Sequence, residues 1–245
     1  MSKIVRAQYR STCLGVSGTA VSRCVSQIAN DVLREKRTAG EILHGSMFRY
    51  EDDLFLYLEL VVDEDRLIPM SVDSSGIVTL ARVEGLPHLA EDWFSSAAYT
   101  LCERPGVGGK HCWAYMNPVF WHDVPGDVDE WEDGRTRTDE GTVKPLGKIA
   151  LLNPEKLASY VYHHQDITAE GLLAGPRTKF ISLSGRVLFM AQDRTDERPE
   201  VNVRRSDESS LAIGRWEEAD AMSHFVDLTH VPGKAFLEME TLAYV

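Results

Sequence analysis

The sequence predicts an α+β protein made of two related modules, and three observations carry that prediction. Each half closes on the same signal. Arg104-Pro105-Gly106-Val107-Gly108-Gly109-Lys110 leads into Trp113, Met116 and Phe120, while Val231-Pro232-Gly233-Lys234 leads into Phe236, Met239 and Leu242-Ala243-Tyr244-Val245. Both read as a tight Pro-Gly turn feeding a last strand. Each half also runs through a helical stretch, an extended segment, a polar turn and a strongly apolar strand in the same order. The composition, 43% hydrophobic and 26% charged, is that of ordinary globular protein, and the longest apolar runs are strand-sized.

In the first half the helical stretch begins at Val25-Ser26-Gln27-Ile28. A Gly-containing link at His44-Gly45 opens the extended segment to Tyr50, Glu51-Asp52-Asp53 makes the turn, and Leu54 to Val62 forms the apolar strand. In the second half Leu146 to Leu152 reads as a strand. Asn153-Pro154-Glu155 then starts a helix, with Asn as N-cap, Pro at the first helical position and an acid in the first turn. That helix, Leu157 to Gly171, is followed by the extended Lys179 to Leu183, the turn Ser184-Gly185-Arg186 and the strand Val187 to Ala191. The expected division is a first module over 1–122, an acidic linker over 123–144 and a second module over 145–245. Trp131 should pack back from the linker onto a module.

Charge and motif content argue against several functions. A net charge of −12 leaves no cluster of Lys and Arg to neutralise phosphates, so nucleic acid is not an expected partner. Nothing approaches a membrane span or a signal peptide, which makes the cytoplasm the expected location. Cys13, Cys24, Cys102 and Cys112 form no Cys-x-x-Cys and are expected to be buried structural thiols. His44, His88, His111, His122 and His230 lack metal-ligand spacing, and the acids of the linker lack the spacing of an EF-hand. Walker-type phosphate loops and the nucleophile elbow of serine hydrolases are missing too.

One constellation suggests chemistry. Leu157, Tyr160, Val161 and His164 fall at helical spacing on one face, so Tyr160 and His164 should project side by side. A histidine exchanges protons near neutrality and a tyrosine hydroxyl one turn away can relay them.

The run Lys148-Ile149-Ala150-Leu151-Leu152-Asn153-Pro154-Glu155, followed by Tyr160 and His164, resembles the opening of the L-rhamnose mutarotase family. The resemblance implies two ferredoxin-like (βαββαβ) modules whose antiparallel sheets pack into an α+β barrel, as a tandem duplication. It implies anomer interconversion of a free monosaccharide, an isomerase activity needing no cofactor and no metal. His164 takes the place of the family's acid/base, with Tyr160 as its partner. Phe180 stands where the family has a second tyrosine, and His224-Phe225 falls near its paired tryptophans, with Trp93-Phe94 at the comparable place in the first half. These residues, Phe180, His224, Phe225 and Trp93, are the expected substrate walls. The first half has Gln27 at the histidine position and is expected to be degenerate. Two other readings share the fold: a non-catalytic small-ligand-binding or assembly protein, and a monooxygenase using His163, His164 or His224. A homodimer is compatible with each, two-fold pairs being the commonest oligomers.

Overall fold

The alternation of side chains along β-strands decides where this chain's residues go, and both faces of its longest strands are buried. A computed structural model describes residues 2–13, 19–72, 78–98, 102–103, 113–121, 127–133, 144–169, 178–194 and 211–245. The strands are β1 (Ser2–Cys13), β2 (Ile42–Tyr50), β3 (Asp53–Asp63), β4 (Ile68–Val72), β5 (Val78–Arg82), β6 (Cys102–Glu103), β7 (Ala114–Tyr115), β8 (Asn117–Trp121), β9 (Pro145–Leu151), β10 (Phe180–Ser184), β11 (Val187–Asp193), β12 (Leu237–Glu238) and β13 (Glu240–Tyr244). The helices are α1 (Thr19–Thr38), α2 (Leu89–Ala98), α3 (Val128–Asp133), α4 (Leu157–Ala169) and α5 (Leu211–Glu218). The fold is therefore α+β, with antiparallel pairing throughout the described registers. Among the described residues no helix is long and apolar enough to cross a membrane.

The chain divides into two units. Unit 1 holds Met1–Met116, Pro125–Pro145 and Met239–Val245; unit 2 holds Asn117–Val124 and Leu146–Glu238. In unit 1 the sheet order is β13-β2-β3-β1-β6, with β7 also on β1. In unit 2 it is β12-β9-β11-β10-β8. Each sheet places the first strand of its half beside the third, the third beside the second, and a closing strand on the outer edge of the first. Each then gains one strand from the other half of the sequence: β8 pairs β10, and β13 pairs β2. The expected single closing strand is thus split at both ends. β7 and β12 stay with their own halves, and the chain passes to the other sheet within two residues.

The local chemistry explains the elements. On α1, Val25, Ala29 and Leu33 recur every four residues and are buried. Gly40, at φ +73°, ends the helix in a Schellman arrangement, Gly40 N–H donating to Arg37 O and Glu41 N–H to Lys36 O, each at 3.0 Å. The expected turns are present where described. Gly185 (φ +60°) and Glu51 (φ +53°) make the two hairpin turns, and Gly233 (φ +76°) closes a Val231–Lys234 turn with Lys234 N–H donating to Val231 O at 3.1 Å. The Pro-Gly segment at 104–110 lies outside the described residues.

In unit 1, Val5, Ala7 and Tyr9 of β1 and Leu54, Leu56, Leu58 and Leu60 of β3 join the helix residues in one core. Gly45 lets α1 settle on β2: a Cβ there would meet Leu33 Cδ2 at 2.7 Å and Leu58 Cδ2 at 3.3 Å. Leu33 is itself fully buried, so it has little room to yield. Gly45→Ala is expected to destabilise the protein by about 1–2 kcal/mol through overpacking, measured by urea unfolding.

One expectation is corrected. Cys24 is a free, exposed thiol on α1 and not a buried one, because it falls one residue short of the buried Val25 stripe. The side chains of Cys13, Cys102 and Cys112 lie outside the described residues.

Candidate active site

The second unit gathers its reactive side chains around one indole. α4 begins with a 3-10 turn at Pro154–Lys156. Asn153 does not cap it through its side chain, as the sequence suggested. Its amide instead donates to Ser223 O at 2.8 Å and Phe225 O at 3.2 Å, while Asn153 N–H donates to His224 O at 2.9 Å and Val226 N–H to Leu151 O at 2.8 Å. The segment carrying His224 and Phe225 is thereby fastened alongside the start of α4. A residue expected to serve helix geometry serves the site.

Tyr160 and His164 stack as expected, ring centroids 3.9 Å apart and planes inclined by 23°. Trp216 on α5 stands edge-on to both, 4.9 Å from His164 and 5.8 Å from Tyr160. Phe120 of β8 closes on His164 at 5.4 Å and Phe225 on Tyr160 at 5.7 Å. Trp216 also lies 5.6 Å from the His163 ring and 4.6 Å from that of His224. The sequence reading did not single out Trp216. Its signal was the spacing from Ala212, one helical turn earlier and fully buried, which marks an inward face.

Hydrogen bonds set the proton positions. His164 Nδ1 lies 2.9 Å from Tyr160 O; a carbonyl only accepts, so Nδ1 carries the proton and Nε2 keeps its lone pair. His224 is held in the same tautomer, with Nδ1–H donating to Asp220 O at 3.2 Å and Ser159 Oγ lying 2.9 Å from Nε2. Tyr160 is fully buried, and its hydroxyl finds no hydrogen-bond partner among the described residues; the same holds for His163 Nδ1. A buried, unsatisfied phenol costs about 1–3 kcal/mol relative to a satisfied one.

Burial pushes the Tyr160 phenol up and His164 down to about 4. For His164 the Tyr160 carbonyl opposes the fall, and the His163, His224 and Lys179 charges add to it. Burial likewise lowers His224, against its bond to Asp220, with Lys156 assisting. The folded state therefore resists protonating His164 at a pH where the unfolded chain, with its ordinary value of 6.5, already accepts the proton. Stability is unaffected above that value and falls as pH drops towards 4, by about 3 kcal/mol from this group. Urea unfolding of wild type and His164→Asn at pH 7 and pH 4 checks this: the difference between the two proteins should shift by that amount in the variant's favour.

The other two expected wall residues lie elsewhere. Phe180 is fully buried on β10, but alternation sends its neighbours Ile181 and Leu183 into the core beneath α4 and turns Phe180 to the opposite face, beside Trp121 and Ala191. Trp93 belongs to α2 of unit 1, where it packs partly buried against the core with Lys36 Nζ 5.1 Å from its ring. Gln27, the counterpart of the histidine in the first half, is exposed on α1.

Unit 1 carries a buried polar centre that the sequence reading missed. Glu59, fully buried in β3, accepts Tyr57 Oη–H at 2.7 Å and Trp131 Nε1–H at 3.0 Å. Arg6 lies opposite Glu59 in the β1 register, its guanidinium 5.4 Å from the Trp131 ring. His44 bridges Val245 O at 3.0 Å and Glu132 Oε1 at 2.5 Å. Trp131 and Glu132 arrive on α3, so this part of the acidic segment is a short helix anchored by a buried indole. The signal was a carboxylate in mid-strand, on the face alternating with Leu58 and Leu60. Among the described residues no three His, Cys, Asp or Glu side chains converge as a metal cage.

Comparison with protein-family models, with curated proteins and with solved structures finds no match to this chain.

Proposed function

We propose that the chain is a tandem ferredoxin-like protein of the L-rhamnose mutarotase type, whose second unit interconverts the anomers of a free monosaccharide. The shared strand order of the two sheets supports the tandem reading, since first-third-second with a closing strand beside the first is the βαββαβ order. The observation that carries the functional reading is the stacked Tyr160–His164 pair, with His164 Nδ1 held on the Tyr160 carbonyl and Nε2 left to accept a proton. At neutral pH the imidazole is neutral, with an Nε2 lone pair able to accept a proton, and the phenol is protonated; burial makes each a weaker proton carrier than in water, so the stacked placement of the two rings, and not a tuned proton affinity, supports their pairing as base and acid.

Anomer exchange needs that combination. The base removes the proton of the anomeric hydroxyl while the acid protonates the ring oxygen, the C–O bond of the hemiacetal breaks, and an open-chain aldehyde forms. Rotation about the bond to the carbonyl carbon and reclosure with the proton transfers reversed gives the other anomer, with no atom gained or lost. His164 acts as the base and Tyr160 as the acid, which requires the bound sugar to open a path to the buried Tyr160 hydroxyl. Trp216, with Phe225, supplies the aromatic wall on which a sugar's C–H face packs. Phe180, on the far face of its sheet, and Trp93, in unit 1, have no part in this cluster.

Saturation-transfer NMR with a panel of free sugars that includes rhamnose and fucose tests the reading. Exchange between anomer signals should accelerate in proportion to protein concentration for at least one sugar. Binding without acceleration supports a ligand-binding role instead, and no response from any sugar removes the reading.

A further inference from the structure

We propose that Ser159 is a nucleophile activated by His224, which gives unit 2 a second activity, acyl transfer from small carboxylic esters. Serine nucleophiles are recognised by geometry and not by sequence position, so the missing nucleophile elbow does not decide the matter. Ser159 Oγ lies 2.9 Å from His224 Nε2, within the reach required of a nucleophile and its base. Because His224 Nδ1 faces the Asp220 carbonyl at 3.2 Å, the ring proton is on Nδ1, and Nε2 can only accept the Ser159 proton. The carbonyl occupies the orienting place that a carboxylate fills in a three-residue relay.

Four further features suit the chemistry. His224 has no exposed surface and is packed against Trp216 at 4.6 Å, with the Asn153 amide gripping the carbonyls on either side of it, so its ring cannot swing away. Ser159, one turn before His163 on α4, is only half-buried. His163 Nδ1, in a ring 6.3 Å from that of His224, is a buried polar atom without a hydrogen-bond partner among the described residues. The Lys156 charge acts on His224 and favours negative charge developing nearby. The step balances: Oγ bonds to the ester carbonyl carbon as Nε2 takes its proton, the ester C–O bond breaks, and the leaving alcohol receives that proton. Water then releases the acid from Ser159 by the same route.

The test uses a fluorophosphonate probe with peptide mass mapping, and p-nitrophenyl acetate as substrate. Folded wild-type protein should be phosphonylated at Ser159, heat-denatured protein should not, and His224→Gln should react about 10²–10⁴-fold more slowly, as loss of a general base requires. Ser159→Ala should lose the p-nitrophenolate burst while keeping wild-type circular dichroism. No label on Ser159 in folded wild-type protein, or equal labelling of His224→Gln, overturns the proposal.

Discussion

Anomer exchange by the His164→Asn variant is expected to fall about 10²–10⁴-fold relative to wild type, the usual contribution of a positioned general base. Asparagine keeps a side-chain N–H that can reach the Tyr160 carbonyl, but it has no basic lone pair to replace Nε2. The variant also loses ring contacts with Tyr160, Trp216 and Phe120, an effect of about 1 kcal/mol per pair beyond the area they bury. Circular dichroism at the pH of the assay checks that the variant is folded, so that the kinetic loss can be read directly. Saturation transfer at matched protein concentration measures it. A loss smaller than tenfold would move the base to His163 or His224, the other two imidazoles around Trp216.

Trp131→Ala is expected to destabilise the protein by about 3–5 kcal/mol. Trp131 is among the largest fully buried side chains, and it is the buried residue of a helix of six. Asp127 starts that helix, accepting Glu130 N–H through Oδ1 at 2.9 Å, but a short helix is not stable on its own. Truncation also removes the indole N–H from Glu59, leaving a buried carboxylate with one donor fewer. Trp131→Phe keeps most of the packing and loses the hydrogen bond, so it should cost about half as much. Urea unfolding followed by far-ultraviolet circular dichroism distinguishes the two. A loss below about 1 kcal/mol for Trp131→Ala would mean that α3 docks without contributing to the stability of unit 1.

The parts of the fold that were legible in the sequence are those written in short-range patterns. The apolar run Leu54 to Val62, the helical stretch from Val25 and the Pro-Gly turn at Val231–Lys234 are local, and each element appears where its pattern lies. The Tyr160–His164 stack was legible for the same reason, since one helical turn brings the two rings together whatever surrounds them. What could not be read depends on partners distant in the chain. Asn153 has the form of an N-cap, and only the arrival of Ser223 and Phe225 redirects its amide. The closing segments read as single strands because nothing local marks the step at which β7 gives way to β8 or β12 to β13. Phe180 matched a position in a resemblance, yet alternation sets it on the face away from Tyr160. Glu59 was legible in principle, a carboxylate in mid-strand, but its meaning comes from Tyr57, Trp131 and Arg6, which three separate elements or register positions supply.

The proton state of His164 is the claim on which the functional account turns, and a side-chain nitrogen NMR titration of histidine-labelled protein from pH 8 to pH 3.5, with and without rhamnose, tests it most directly. The account predicts a neutral ring with the proton on Nδ1 through most of that range, protonation with a midpoint near 4, and an Nε2 resonance that moves when sugar is added. A midpoint near the ordinary 6.5 would contradict the burial of the ring, and the proton on Nε2 would contradict the base role, because Nε2 would then have no lone pair to take the sugar proton.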